Sequence, residues 1–192
     1  KYMKNKFKYD LCIVGGLGRV GLPLGILFAY KGLKVCLNDI NIKHAELVKK
    51  GIMPFKEKGA QPLLKKIIKN KKLDISLNSK CISNAKYIII TLGTSLDRRK
   101  NPDMKKFLNV INVIKKSLSK DQIIIVRSSV YPGTCKKIFK ILNKKNNQDV
   151  AYCPERIKQG YSIKELEKLP QIVSGFSTVA TNQASILFKK IS

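Results

Sequence analysis

A doubly wound α/β domain, with a parallel sheet covered by helices on both faces, is the fold class that this sequence predicts. Short β-rich apolar runs alternate with longer helical patterns along the chain. Runs such as YIIITLG and QIIIVRSS are apolar at consecutive positions, as strands buried on both faces are. A glycine-rich turn joins the first run to the first helix.

Each element follows in order. YDLCIV reads as the first strand, a helix is expected from about Gly18 to Tyr30, LKVCLND is the second strand and INIKHAELVKK the next helix. IMPFKEKGAQPLLKKIIKN reads as a loop with Pro54 and Gly59 and then an amphipathic helix. A weak strand near LDISL and a short helix at SNA precede the buried strand YIIITLG and the helix MKKFLNVINVIKKSL. QIIIVRSS, TCKKIFKILNKK and DVAYC continue as strand, helix and strand. LPQIVSGF and TNQASILFKKI close with one more strand and helix. Residues 1–192 thus read as a single domain, without repeat or low-complexity linker.

The formal net charge of +27 suggests anionic partners. Only five of the 39 basic residues are arginines, and the lysines are spread along the chain, with no RNA-binding aromatic motif or zinc pattern. A solvated lysine-rich surface is therefore expected, with no nucleic-acid partner, and it would concentrate small anionic ligands. No apolar run reaches bilayer length and no signal peptide is evident, so no membrane partner is expected. The five cysteines are odd in number and contain no CxxC pair. Cys12 and Cys36 lie in apolar runs and read as small buried hydrophobes, which predicts a reducing cytoplasm, no disulfide framework and no metal site.

Gly16-Leu17-Gly18-Arg19-Val20-Gly21 is a G-x-G-x-x-G between the first strand and the first helix, a Rossmann-like arrangement. Its glycines allow a tight turn, close approach of a pyrophosphate and close helix packing, while the helix N-terminus offers amide donors. Arg19 adds charge at the same mouth. Asp39 ends the second strand 23 positions after Gly16, where a carboxylate accepts from ribose hydroxyls and repels a 2′-phosphate. NAD is thus preferred to NADP, with Lys43 nearby as the opposing influence.

Four further stretches, GIMPFKEKGAQPLL, TLGTSLD, VRSSVYPGT and YCPERIKQG, follow in order after VGGLGRVGLPLG. With these five motifs the chain, from about Asp10 onward, resembles the N-terminal NAD-binding domain of the UDP-glucose/GDP-mannose dehydrogenase family. The resemblance implies oxidation of the C6 alcohol of a nucleotide sugar to a carboxylate with two NAD⁺ in succession. In that scheme a cysteine captures the aldehyde, and water hydrolyses the resulting thioester. It also implies a linking helical region that builds a homodimer and a C-terminal nucleotide-sugar domain, neither of which is expected within these 192 residues. The pairing of VRSSV with PER leans toward the branch acting on UDP-N-acetylhexosamines such as N-acetylmannosamine.

Position by position, the resemblance implies cofactor contacts from Gly16, Gly18, Arg19, Val20, Gly21, Asp39, Thr94 and Ser129. Tyrosine is more usual where Arg19 stands, and Ser95 replaces a proline after Thr94. Ser129 matches a threonine that touches both cofactor and catalytic water, and serine keeps that hydroxyl. Glu155 matches the glutamate that positions or activates water, and Glu155, Arg156, Ile157 and Lys158 match the segment along the sugar and its phosphates. The nucleophilic cysteine of the family lies in a G-x-C-x-P segment that these residues lack. Cys153 therefore reads as packing at a strand end, and His44 as an exposed helix position. The chain alone is expected to bind NAD without turning over a UDP-sugar. Two other readings stand beside this one, an NAD-binding module of a different dehydrogenase and a basic module that senses nucleotides or binds nucleic acid.

Overall fold

A computed structural model describes residues 7–93, 103–146 and 148–192. The strands are β1 (Tyr9–Val14), β2 (Val35–Asn38), β3 (Leu73–Ser76), β4 (Ala85–Ile90), β5 (Ile123–Val126), β6 (Asp149–Tyr152) and β7 (Ser174–Gly175). The helices are α1 (Gly21–Tyr30), α2 (Ile42–Lys49), α3 (Ala60–Lys69), α4 (Met104–Lys116), α5 (Thr134–Asn146), α6 (Ser162–Lys168) and α7 (Thr178–Phe188), with a 3₁₀ turn at Ser79–Asn84. Together the strands make one sheet in the order β3-β2-β1-β4-β5-β6-β7. Five of its pairings are parallel. The doubly wound α/β prediction holds.

The two-residue period of the strands sorts their side chains between two cores. Leu11, Ile13, Ile89 and Ile125 face one side, under α1, α2, α3, α6 and α7. Cys12, Val14, Ile88, Ile90, Ile124 and Val126 face the other, under α4, α5 and the 3₁₀ turn. Strand order reverses between β1 and β4, so the crevice at their C-terminal ends is where a doubly wound sheet binds its ligand.

Three details depart from the sequence-based expectation. Helix α1 begins at Gly21 rather than Gly18, because the preceding residues form the turn itself. The segment SIKELEK, left without an element in the sequence reading, forms α6. The last strand, β7, runs antiparallel to β6. After β6 the chain places α6 against α1, where Lys31 pairs with Glu167 at 3.0 Å, and then returns along the sheet edge from the opposite end. It never makes the full crossover that a parallel pairing requires.

Close packing of α1 on the sheet rests on missing Cβ atoms. At Gly21 a Cβ would meet the Gly15 carbonyl oxygen at 2.5 Å and Thr91 Oγ1 at 2.7 Å. Alanine normally favours a helix over glycine by about 1 kcal/mol. Here the clash reverses that sign, and Gly21→Ala is expected to cost roughly 1–3 kcal/mol in urea denaturation. Gly93→Ala, where a Cβ meets nothing within 4 Å among the described residues, is the control and should be near neutral.

Candidate functional site at the C-terminal ends of the strands

The phosphate loop is a turn pressed between β1, β2 and α1. Gly15, just ahead of the motif, takes the left-handed conformation at φ +79°, whereas Gly16 is required for close approach. A Cβ on Gly16 would lie 2.7 Å from Ile13 O and 2.9 Å from Leu37 Cβ. The amides of Gly15 and Gly16 donate to Asn38 O at 2.9 and 3.1 Å, which locks the turn to the end of β2. Thr91 donates its hydroxyl to Val14 O at 3.0 Å and Gly15 O at 3.1 Å, closing the turn from the β4 side. No side chain caps α1 and no acidic residue sits in its first turn, so its N-terminal dipole faces the crevice uncompensated. Gly16, Gly18, Arg19, Val20 and Gly21 thus come together in one turn at the N-terminus of α1, a candidate phosphate cradle.

Asp39 faces the same loop. Its Oδ1 accepts from the amides of Ile40 at 2.8 Å and Asn41 at 3.1 Å, and its Oδ2 accepts from Leu17 N at 2.9 Å. Among the described residues Oδ2 accepts one hydrogen bond, which leaves it a further acceptor position. Behind it His44 is half-buried, with Nδ1 3.1 Å from Leu17 O, which corrects the expectation of an exposed helix position. The side chain of Asn41 caps α2 through His44 N and so aims the imidazole at the loop. Arg19 does not project freely, because its guanidinium stacks over the Phe55 ring at 5.2 Å.

Ser129 and Glu155 follow β5 and β6, which are neighbouring strands in register. Ser129 is exposed at the mouth. Glu155 is mostly buried and pairs with Arg127, a residue that the sequence reading had not singled out. Arg127 Nε and Nη2 lie 2.8 and 2.7 Å from Glu155 Oε2, with side-chain exposures of 1% and 10%. Arg127 also donates to Cys153 O at 3.2 Å and stacks on Phe188 at 4.8 Å. Glu155 Oε1 accepts from the amides of Arg156 at 2.8 Å and Ile157 at 3.3 Å, so the carboxylate takes three hydrogen bonds besides its ion-pair contact with Arg127 Nη2. It is a tethered carboxylate, and the 3.3 Å contact to Ile157 N is the longest and weakest of these bonds.

Beyond it, Arg156 is exposed and donates to Pro170 O, Ile157 packs on the α1-side core, and exposed Lys158 reaches over Tyr161 at 5.5 Å. Buried Glu57 holds this loop from a distance, accepting from Gly160 N at 3.1 Å, Ser162 N at 2.6 Å and Ser162 Oγ at 3.0 Å. A cavity of about 650 Å³ lies where the two loops meet, lined by Met53, Phe55, Lys56, Lys58 and Tyr161 among others. Cys153 is fully buried, and burial pushes its thiol up to about 12 against the pull of Arg127, so it is packing as expected. Thr94 falls outside the described residues.

Four strand intervals separate β2 from β6, or about 19 Å at about 4.8 Å each, which leaves room for a dinucleotide across the strand ends. Residues 10–192 match the NAD-binding domain of the UDP-glucose/GDP-mannose dehydrogenase family. The chain belongs to that family. It is 31% identical over 193 residues to a UDP-N-acetyl-D-mannosamine dehydrogenase of Methanococcus vannielii, covering 98% of this chain and 44% of that relative. It is 31% identical over 179 residues to a UDP-glucose 6-dehydrogenase of Rickettsia prowazekii, covering 92% of this chain and 40% of the relative. The solved UDP-D-ManNAc dehydrogenase of Pyrococcus horikoshii superposes with a TM-score of 0.87 at 26% identity, over 94% of this chain and 44% of that one. The chain thus spans less than half the length of these family members. The bare, uncapped cradle and the open acceptor on Asp39 fit the family's cofactor, NAD.

Arg127→Met would leave the Glu155 carboxylate buried without its partner. A loss of about 3–5 kcal/mol in chemical denaturation is expected, with Arg127→Lys losing less. Equal stability of Arg127→Met and the parent chain would show that the pair does not brace the loop.

Proposed function

We propose that this chain is the NAD-binding part of a nucleotide-sugar 6-dehydrogenase that oxidises the C6 alcohol of a UDP-sugar to the uronate with two NAD⁺, and that it is inactive alone. The observation that carries this reading is one crevice with a phosphate cradle and Asp39 at one end and a tethered Glu155 at the other. Bound NAD⁺ supplies the oxidising capacity. The protein's own groups bind, orient and manage water.

Gly16 to Gly21 receive the pyrophosphate, with Arg19 and Val20 at the lip, while Asp39 accepts from the adenosine ribose. Thr94 is assigned to the cofactor on the family resemblance alone. Ser129 offers a hydroxyl to cofactor and water together. Glu155, held in place by Arg127, orients the hydrolytic water at Oε1 when the Ile157 amide yields its place. Arg156, Ile157 and Lys158 line the sugar and its phosphates, and Lys56 and Lys58 on the facing loop add positive charge. Relatives named for UDP-N-acetyl-D-mannosamine support a UDP-N-acetylhexosamine as substrate, ahead of UDP-glucose. The nucleophilic cysteine, the remaining sugar contacts and the homodimer interface belong to the portion of such enzymes that this chain does not span. The five free thiols suit a reducing cytoplasm.

Calorimetric titration is expected to give NAD⁺ binding at least tenfold tighter than NADP⁺ binding. Asp39→Asn should weaken NAD⁺ by at least tenfold, about 1.5 kcal/mol or more, because a charged acceptor and the Leu17 anchor are both weakened. The chain should form no NADH from UDP-glucose or UDP-N-acetylmannosamine. Turnover by these 192 residues alone would contradict the assignment of the nucleophile elsewhere.

A further inference from the structure

The other face of the sheet holds a cluster that the proposed function does not use. Cys12 on β1 and Cys36 on β2 are register partners on adjacent parallel strands, and Cys81 on the 3₁₀ turn covers them. Their three sulfur atoms all lie within 4.8 Å of one another, and the Cys12 and Cys81 sulfurs are 3.8 Å apart. Relative exposures are 0%, 1% and 7%. Sequence spacing gives no hint of this meeting, since 24 and 45 residues separate successive members.

Two features go beyond the packing of small hydrophobes. A zinc–thiolate bond of about 2.3 Å in a tetrahedron sets a sulfur-to-sulfur edge of about 3.8 Å, which the Cys12–Cys81 pair already shows. Second, Cys81 forms part of the wall of an open cavity of about 630 Å³, lined also by Lys8, Lys49, Lys71, Asp74 and Lys80. The cavity gives a cation a way in, water for a fourth ligand, and positive charge around an anionic centre.

We propose that Cys12, Cys36 and Cys81 form a trithiolate site for one soft divalent cation of the zinc class, with water from the adjoining cavity as fourth ligand. Three thiolates around a divalent ion leave one net negative charge in an apolar layer, whereas a monovalent soft ion would leave two. Thiol protons released on binding pass to bulk buffer through the cavity, and no electron is transferred. An occupied site ties β1, β2 and the 3₁₀ turn together directly behind the strands that end in the phosphate loop and Asp39.

The test is titration of the reduced, chelator-treated chain with Zn²⁺ in competition with a chromogenic chelator, and with Co²⁺ followed by absorbance. One Zn²⁺ per chain, thiolate-to-cobalt charge-transfer bands with tetrahedral d–d intensity, and a raised melting temperature are expected. Cys81→Ser should weaken Zn²⁺ at least a hundredfold, and Cys135→Ser, on the half-exposed thiol outside the cluster, should bind as the parent does. Absence of charge-transfer bands at saturating Co²⁺ in the parent chain would overturn the proposal without any variant. Unchanged Zn²⁺ affinity in a folded Cys81→Ser protein would also overturn it, and would leave the three thiols as packing.

Discussion

The absence of a Cβ between helix α1 and the sheet is the constraint on which the rest of this molecule depends. At Gly16 and Gly21 the neighbouring backbone stands closer than any side chain allows. That contact brings the N-terminus of α1 to the crevice at the sheet's switch point. Asp39 then acts twice, tethering the loop through Leu17 N and keeping an acceptor for a ligand. His44 and Thr91 hold the same turn from its two other sides. The turn is thus held in one conformation by the chain itself, which under the proposed function leaves little ordering to be done on binding a phosphate.

The far end of the crevice is organised by charge instead of by close packing. Arg127 is almost fully buried and is satisfied by Glu155, the Cys153 carbonyl and the face of Phe188. Such a pair costs desolvation, and its return is geometric, since it fixes one carboxylate orientation at the end of β6. Glu57 does the same for the following turn, from 103 residues away in sequence. The two ends therefore differ in kind. One is a turn fixed by close backbone packing, and the other is a frame that holds a carboxylate beside an exposed hydroxyl and several cations.

Much of this was legible in sequence where the determinants are local. The apolar strands, the glycine loop and Asp39 are each set by neighbouring residues or by a fixed offset from strand to strand. The elements that escaped are short or polar. SIKELEK carries too few apolar positions to signal a helix, and β7 is only two residues long. Arg127 was hidden because an arginine after a strand looks exposed until the parallel register of β5 and β6 places it beside Glu155. His44 was misread because a lone histidine on a helix gives no sign of what the preceding loop will offer it. The cysteine cluster needs the pairing of β1 with β2 and the return of the chain at the 3₁₀ turn, neither of which any spacing rule encodes.

Under the proposed function the glycine loop and Asp39 form one preorganised dinucleotide site. Amide-resolved NMR of the ¹⁵N-labelled chain during NAD⁺ titration tests it most directly. The largest shifts should fall on Gly16 to Gly21 and on Asp39 to Asn41, with smaller ones at Ser129 and near Glu155. Shifts spread over the lysine-rich surface, with the glycine loop unmoved, would contradict it.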